Sequence, residues 1–198
     1  MTDRVPQLVL ASTSRYRREL LARLVTDFRV IAPYVDETPL ADEAPIALAV
    51  RLAEAKALAV ARMAPNAIVI GSDQVAELDG RAVGKSGSRE GAIAQLTASS
   101  GHTIAFHTAI ALADTRQSPP VVRAASDRTE VVFRTLSSDE IARYVDRENP
   151  IDCAGSFKAE AAGIALFERI RSEDPTALIG LPLIALAELL RASGFTLP

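Results

Sequence analysis

A short apolar run, Gln7–Ala11, opens straight into Ser12-Thr13-Ser14-Arg15-Tyr16-Arg17-Arg18, and this junction constrains the fold more than any other stretch. The run is patterned as a buried strand, while Glu19, Leu20, Leu21 and Leu24 continue as an amphipathic helix. A strand therefore passes into a helix through three hydroxyls, any of which can cap it. Arginine is an unfavourable residue in a first helical turn, because the positive end of the helix dipole repels it. Three arginines beside capping hydroxyls and free backbone N–H groups suit a site that an anion occupies. A solvated basic helix face is the plainer reading of the junction on its own.

The chain continues to alternate. Residues 28–32 predict a second strand, and Pro45 opens a helix with Leu48, Leu52, Ala55 and Ala59 on one face. Residues 67–71 form a compact apolar run that reads as a buried strand; residues 74–78 follow, then a type I′ hairpin turn at Asp79-Gly80. Ser88 caps a helix reaching about Ala98, and residues 102–113 predict a long strand. The Ser118-Pro119-Pro120 loop leads into strand residues ending near Phe133, and Ser137 and Glu140 hold capping-box positions. Residues 163–170 predict a strand, and a last helix from Pro182 turns Leu183, Leu186 and Leu190 inward. The expected class is α/β: a mixed, twisted β-sheet flanked by helices. Residues 1–198 fit a single domain, or one domain with two lobes around a cleft.

Composition narrows the partners. Lys and Arg number 22 against 25 Asp and Glu, a net charge of −3, which gives no electrostatic reason to expect nucleic-acid binding. An acidic chain that gathers arginines at one helix start points to a small anionic ligand instead. Cys153 is the single cysteine, so no intramolecular disulfide can form and a thiol-reducing cytoplasm fits. The start of the chain carries Asp3 and lacks the long apolar stretch of a signal peptide. The longest apolar segment, residues 178–190, is broken by Gly180, Pro182 and Glu188 and is too short to span a bilayer.

Polar residues fall at the predicted strand ends. Asp73 follows an apolar strand where α/β proteins place ligands, and can hold a divalent cation, take a proton from water, or terminate the strand in an Asx turn. Asp36-Glu37 is either a solvated turn or the wall of a metal site. Lys56 lies mid-helix, where lysine is ordinarily surface. Lys85, after Gly84, is well placed for a phosphate contact. The segment from Gly155 to Glu160 combines a turn, an aromatic, a cation and an anion. His102 and His107 read as strand surface residues on opposite faces, and Cys153 as a packing thiol. Walker, dinucleotide and zinc motifs are absent from the sequence.

In order, these segments resemble the Maf family of nucleotide pyrophosphatases. The resemblance rests on Leu10-Ala11-Ser12-Thr13-Ser14 with Arg17-Arg18 and Leu20-Leu21, on Val35-Asp36-Glu37, and on Glu54-Ala55-Lys56-Ala57. It continues through Ile70-Gly71-Ser72-Asp73, Gly84-Lys85, Ala154-Gly155 and Gly180-Leu181-Pro182-Leu183. Within the family, Gly71-Ser72-Asp73-Gln74-Val75, the segment from Cys153 to Lys158, and Leu166-Phe167-Glu168-Arg169 resemble the branch acting on 7-methyl-GTP. Two positions depart from that branch: Tyr16 stands where tryptophan is expected, and Ser86 where proline is usual.

The resemblance implies a nucleotide-binding cleft between two lobes and hydrolysis of a nucleoside triphosphate between its α and β phosphates. Arg17, Arg18, Lys56 and Lys85 would form a cationic clamp above Ser12 and Ser14. Asp73 would accept the proton of the attacking water, with Glu37 and Asp73 holding Mg²⁺, or Mn²⁺ in its place. Tyr16, Gln74, Lys158 and Glu160 would meet the base: Tyr16 stacks on the cationic ring, and Glu160 accepts from its N1–H and amine. The same reaction on other non-standard triphosphates or on dTTP and UTP is one alternative, and a non-catalytic regulator of septum formation another. The family also implies a homodimer.

Overall fold

A computed structural model describes residues 6–197, so the reading of Asp3 lies outside the described residues. Strand β1 (Gln7–Ala11) pairs in parallel with β2 (Arg29–Ile31) and β3 (Ala67–Leu78). The helices α1 (Arg15–Leu21) and α2 (Pro45–Ala61) are the crossovers that parallel pairing requires. The remaining strands are antiparallel: β4 (Arg81–Val83) and β5 (Thr103–Asp114) on β3, β6 (Val121–Phe133) on β5, and β7 (Phe167–Arg171) on β6. Helices α3 (Arg89–Ser99), α4 (Ser138–Glu148) and α5 (Leu183–Ala192) complete a seven-stranded mixed sheet flanked by five helices among the described residues.

The long strands divide the core. One face, carrying Val69, Ala109, Ala111 and Ala113, is covered by α2. The other face has two covers. Ile68, Ile70, Ile110 and Leu112 pack against α1 and α5, whereas Ala76, Ile104 and Phe106 pack against α3 and α4. Between those two apolar clusters the same face carries Ser72, Gln74 and Thr108. The apolar alternation of β3 and β5 is broken there by polar residues, and two lobes meet at the break.

A second break coincides with it. Pairing of β1 with β3 stops at Ala11↔Gly71, and pairing of β4 with β3 begins at Ala76↔Val83. Among the described residues, 72–75 of β3 thus have no strand neighbour on that edge. The gap lies beyond the carboxyl end of β1, where open α/β sheets bind ligands.

Several sequence expectations are corrected. Residues 67–71 and 74–78 are one strand, because the polar residues between them keep pairing with β5. The inward face of α2 is Ala49, Ala53, Ala57 and Val60 with Leu48 and Leu52, while Ala55 and Ala59 are half-buried. Residues 162–166 form a 3-10 turn, so the strand expected from Gly163 starts only at Phe167. Gly163 lies against the Lys158 backbone, where a Cβ would stand 2.5 Å from the carbonyl oxygen. His102 precedes β5 and is exposed; His107 is buried, its Nε2 lying 2.6 Å from Glu77, a diagonal neighbour on β3. The Ser137–Glu140 capping box forms with both reciprocal hydrogen bonds. Among the described residues no helix is long and apolar enough to cross a membrane.

Candidate active site

A cleft of about 1220 Å³ opens at the β3 gap, lined by the β1–α1 junction, the 33–39 loop, α2, β3, Gly84-Lys85, the loop after α4, and residues 178–180. Its volume exceeds the few hundred to roughly 1,000 Å³ of ordinary ligand pockets, room enough for a nucleotide.

The β1–α1 junction forms as its hydroxyls predict. Ser14 is the N-cap and its Oγ accepts from Arg17 N, while buried Ser12 accepts from Ser14 N at 3.1 Å. Arg15, Arg17 and Arg18 all sit within two turns of that cap, and the helix separates them. Arg17 lines the cleft, and its Nε donates to Gly180 O at 2.9 Å. Its terminal nitrogens make no hydrogen bond among the described residues. Burial pulls the guanidinium below its ordinary pKa, with Asp73 and Glu37 pulling the other way. Arg18, one residue and about 100° further round the helix, is exposed and outside the cleft lining. Arg15 lines the cleft instead: its guanidinium lies 4.7 Å from the Tyr16 ring centroid, and Nη2 donates to the Tyr16 hydroxyl at 2.8 Å.

Lys56 is the buried centre of the charge cluster. Its Nζ lies 2.6 Å from Asp73 Oδ1 and 2.6 Å from Glu37 Oε1. The sequence read Lys56 in isolation as an ordinary surface lysine, but small residues turn it inward. Ala53 and Ala57 of α2 rest directly on the backbone at Gly71, and the next helical position along that face holds Lys56 against Asp73. Burial pushes the Glu37 carboxyl up, but the Lys56 hydrogen bond and charge, with Lys85 and Arg17 farther off, outweigh it and hold it below its ordinary range. Asp73 is buried with one oxygen on Lys56; its Oδ2 accepts no hydrogen bond among the described residues. Two carboxylates sharing a lysine are a smaller donor set than a preformed metal cage: among the described residues no group of three or more His, Cys, Asp or Glu could hold a metal ion.

The other expected residues fall on the opposite wall. Lys85 is exposed and lines the cleft, and its pairing with Ala154 joins the loop after β4 to the loop after α4. Lys158 lines the cleft too, but its Nζ donates to Glu148 O at 2.5 Å at the carboxyl end of α4, where a cation is favoured. Glu160 is exposed at the rim. Gln74 differs from expectation. Its Nε2 faces three acceptors, Thr108 Oγ1, Ala177 O and Leu178 O, at 2.9–3.0 Å, so the amide cannot also donate to a ligand. Cys153 lines the cleft with its thiol pushed up to about 12 by burial, beside Asp152, which keeps it neutral. Sequence reading missed Arg15 as a cleft residue, the Ser72 hydroxyl on Gly180 O, and the acceptor role of residues 177–180. Carbonyl acceptors carry no side-chain signature, so only the Gly180-Leu181-Pro182 segment hinted at them.

An α/β sheet interrupted at one edge, with arginine, lysine and carboxylate side chains converging on the gap, is a site for a phosphorylated ligand. Residues 7–193 match the family model described as Maf-like protein, and the chain belongs to the Maf family. It is 59% identical over 194 residues to the 7-methyl-GTP pyrophosphatase of Xanthomonas oryzae pv. oryzae (strain MAFF 311018), covering 98% of this chain and 100% of that protein. The protein of the same name from Aromatoleum aromaticum is 54% identical over 195 residues, with 98% and 100% covered. That of Alcanivorax borkumensis is 48% identical over 198 residues, covering both chains fully.

Proposed function

We propose that this chain is a nucleoside triphosphate pyrophosphatase that hydrolyses 7-methyl-GTP to 7-methyl-GMP and diphosphate, clearing a modified nucleotide. The observation that carries this reading is Asp73: a buried carboxylate at the β3 gap, one oxygen tied to Lys56 and the other open to the cleft. Relatives 48–59% identical that bear the name of that activity supply the substrate.

In this reading water attacks the α-phosphorus, the bond from that phosphorus to the bridging oxygen breaks, and diphosphate leaves with the electron pair. Asp73 Oδ2 takes the proton of the attacking water. Lys56 orients the carboxylate through Oδ1. The free end of the Arg17 guanidinium and the Lys85 ammonium hold the phosphate tail, since phosphoryl transfer depends on positioning and charge neutralisation more than on covalent help. Ser12 and Ser14 shape the junction below, and Arg18 has no direct part.

The family suggests a divalent cation. The donor chemistry fits Mg²⁺, with Mn²⁺ as the substitute, because such ions take one or two carboxylates and complete their shell with substrate phosphates and water. Glu37 and Asp73 would hold it, and when bound it would neutralise phosphate charge. Tyr16 offers an electron-rich face to the cationic methylated ring, opposite the face Arg15 covers, and Glu160 accepts from the guanine edge. Gln74 acts through its carbonyl, and Lys158 through the loop it fastens. The same reading takes residues 1–198 as one domain, working in the cytoplasm as a homodimer.

Diphosphate release from 7-methyl-GTP, GTP, dTTP and UTP, with Mg²⁺ and with chelator, tests the proposal. Asp73→Asn keeps shape and removes charge, and should cut turnover on the order of a hundredfold without altering the fold. Near-normal turnover in the folded variant refutes the role of Asp73, and preference for UTP or dTTP refutes the substrate.

A further inference from the structure

Residues 174–184, behind the cleft wall, carry a hydrogen-bond set that the proposed chemistry does not use. Asp174 is a carboxylate only 3% exposed, and it does not line the cleft. Its Oδ1 accepts from Thr176 N at 2.8 Å and lies 2.5 Å from the Thr176 hydroxyl; its Oδ2 accepts from Ile184 N at 2.7 Å. Thr176 Oγ1 accepts in turn from Leu183 N at 2.9 Å. The N-cap of α5 is Pro182, which has no side-chain acceptor, so Asp174 and Thr176 satisfy the N–H groups of Ile184 and Leu183 at the start of that helix from ten and seven residues upstream. The Asp174 backbone is anchored to β6 and its neighbour: its N–H donates to Asp127 Oδ2 at 3.2 Å, and its carbonyl accepts from Ser172 Oγ at 2.7 Å.

Inside this clamp lies a turn whose carbonyls face the active site. Ala177 O accepts from Gln74 Nε2 and Thr108 Oγ1, and Leu178 O from Gln74 Nε2. Gly180 O accepts from Arg17 Nε at 2.9 Å and from Ser72 Oγ at 3.0 Å. Ser72 and Gln74 are the two neighbours of Asp73. Gly180 has φ +123°, a conformation that side-chain-bearing residues avoid, so its carbonyl direction depends on how the turn is held at both ends.

We infer that Asp174 is a positioning residue of the active site: it fixes the turn over residues 176–180, and through the Gly180 carbonyl it sets where the Arg17 guanidinium lies. The inference rests on the reading of Arg17 as a phosphate-binding group for its kinetic consequence, and on hydrogen bonds only for its structural one. Asp174→Asn exchanges one acceptor oxygen for an NH₂ group that faces donors, so one buried N–H or hydroxyl loses its partner. Thr176→Val removes the hydroxyl that links Asp174 to Leu183 N, while Thr176→Ser retains it.

Two measurements test it. The first is the Arg17 Nε–Hε resonance in a ¹H–¹⁵N spectrum, assigned by its disappearance in Arg17→Lys. Asp174→Asn and Thr176→Val should shift it and lower its protection from exchange about tenfold, the effect of one lost buried hydrogen bond. Thr176→Ser should not, nor should Ser137→Ala, which uncaps α4 away from the cleft. The second is kinetic: Asp174→Asn should raise KM for 7-methyl-GTP about tenfold, and should add less than about twofold once Arg17→Ala is present. An unmoved Arg17 resonance in folded Asp174→Asn overturns the inference, and so do losses that multiply in the double variant. If Asp174→Asn does not fold, the Thr176→Val and Thr176→Ser pair decides. A wild type inactive on 7-methyl-GTP would refute the functional reading and leave the resonance test to judge the turn.

Discussion

Gly71 controls the geometry of the charge cluster without carrying any charge. A Cβ at this position would stand 2.1 Å from the Ala53 carbonyl oxygen, 2.6 Å from Ala57 N and 3.0 Å from Ala57 Cβ. Two of these atoms are backbone of α2, so no rotamer change relieves the overlap, and the helix must retreat from β3 by roughly 1 Å. Lys56 rides on that helix, with Nζ 2.6 Å from both Asp73 and Glu37. Gly71→Ala should therefore cost about 3 kcal/mol of stability through overpacking. It should also lower turnover on the order of a hundredfold, because a misplacement of about 1 Å is enough to do so. Urea unfolding followed by circular dichroism gives the first quantity, and diphosphate release in conditions where the variant is fully folded gives the second. Leu190→Ala, which empties a fully buried site at the far end of α5, should lose a similar amount, about 2–5 kcal/mol, yet keep its turnover when folded. Wild-type turnover in folded Gly71→Ala would refute the claim that the α2–β3 contact sets the position of Lys56.

Two other perturbations have defined outcomes. Glu43 is gripped by Arg51 at 2.6 and 2.8 Å and by Leu40 N, which pulls its carboxyl from 4.5 to about 2. Its stabilising share is complete above about pH 4.5 and fades as pH falls towards 2, so Tm should drop more steeply over that window in the wild type than in Glu43→Gln; parallel curves would refute the clamp. Glu160→Ala should lower activity on 7-methyl-GTP relative to UTP by roughly 2–3 kcal/mol, and Tyr16→Leu by about 1–2 kcal/mol, read as kcat/KM on both substrates. Equal losses on the two would mean that neither residue selects the base.

How much of this was legible in the sequence depended on the range of the interaction. The hydroxyl-capped junction, the Asp79-Gly80 turn and the Ser137–Glu140 box are local, and they formed where the residues placed them. Asp73 was expected at a strand end, but it lies mid-strand in β3, and it is the end of β1 at Ala11 that opens the edge beside it. The partnership of Lys56 with Asp73 and Glu37 was not, since it depends on how closely Ala53 and Ala57 approach Gly71 across the sheet face. Gln74 was expected to meet the base; only the fold brings three acceptors to its nitrogen. His107 was expected at the surface because strand alternation cannot say that Glu77 lies diagonal to it on the next strand. Arg15 lines the cleft and Arg18 does not, because the helix starts at Arg15 and the rotation from there decides which guanidinium faces the cleft.

The charge inventory of the cleft bears on how a polyanion could bind there. Its lining holds five cations, Arg15, Arg17, Lys56, Lys85 and Lys158, and five carboxylates, Glu37, Asp73, Glu148, Asp152 and Glu160. Lys56 is committed to Glu37 and Asp73, and Lys158 to the Glu148 carbonyl. Arg15 is engaged with Tyr16, over one face of its ring and on its hydroxyl. What is left to meet a phosphate tail is the outer end of Arg17 and the exposed ammonium of Lys85, fewer cations than the sequence count promised. A triphosphate entering with a divalent cation already on its phosphates would bring the missing positive charge with it. The other oxygens of Asp73 and Glu37, unpaired among the described residues, would then have a partner that Lys56 does not displace, since Lys56 occupies Oδ1 and Oε1. The lysine and the carboxylate pair are in that sense complementary: Lys56 pairs with both carboxylates and leaves each with one oxygen for the chemistry.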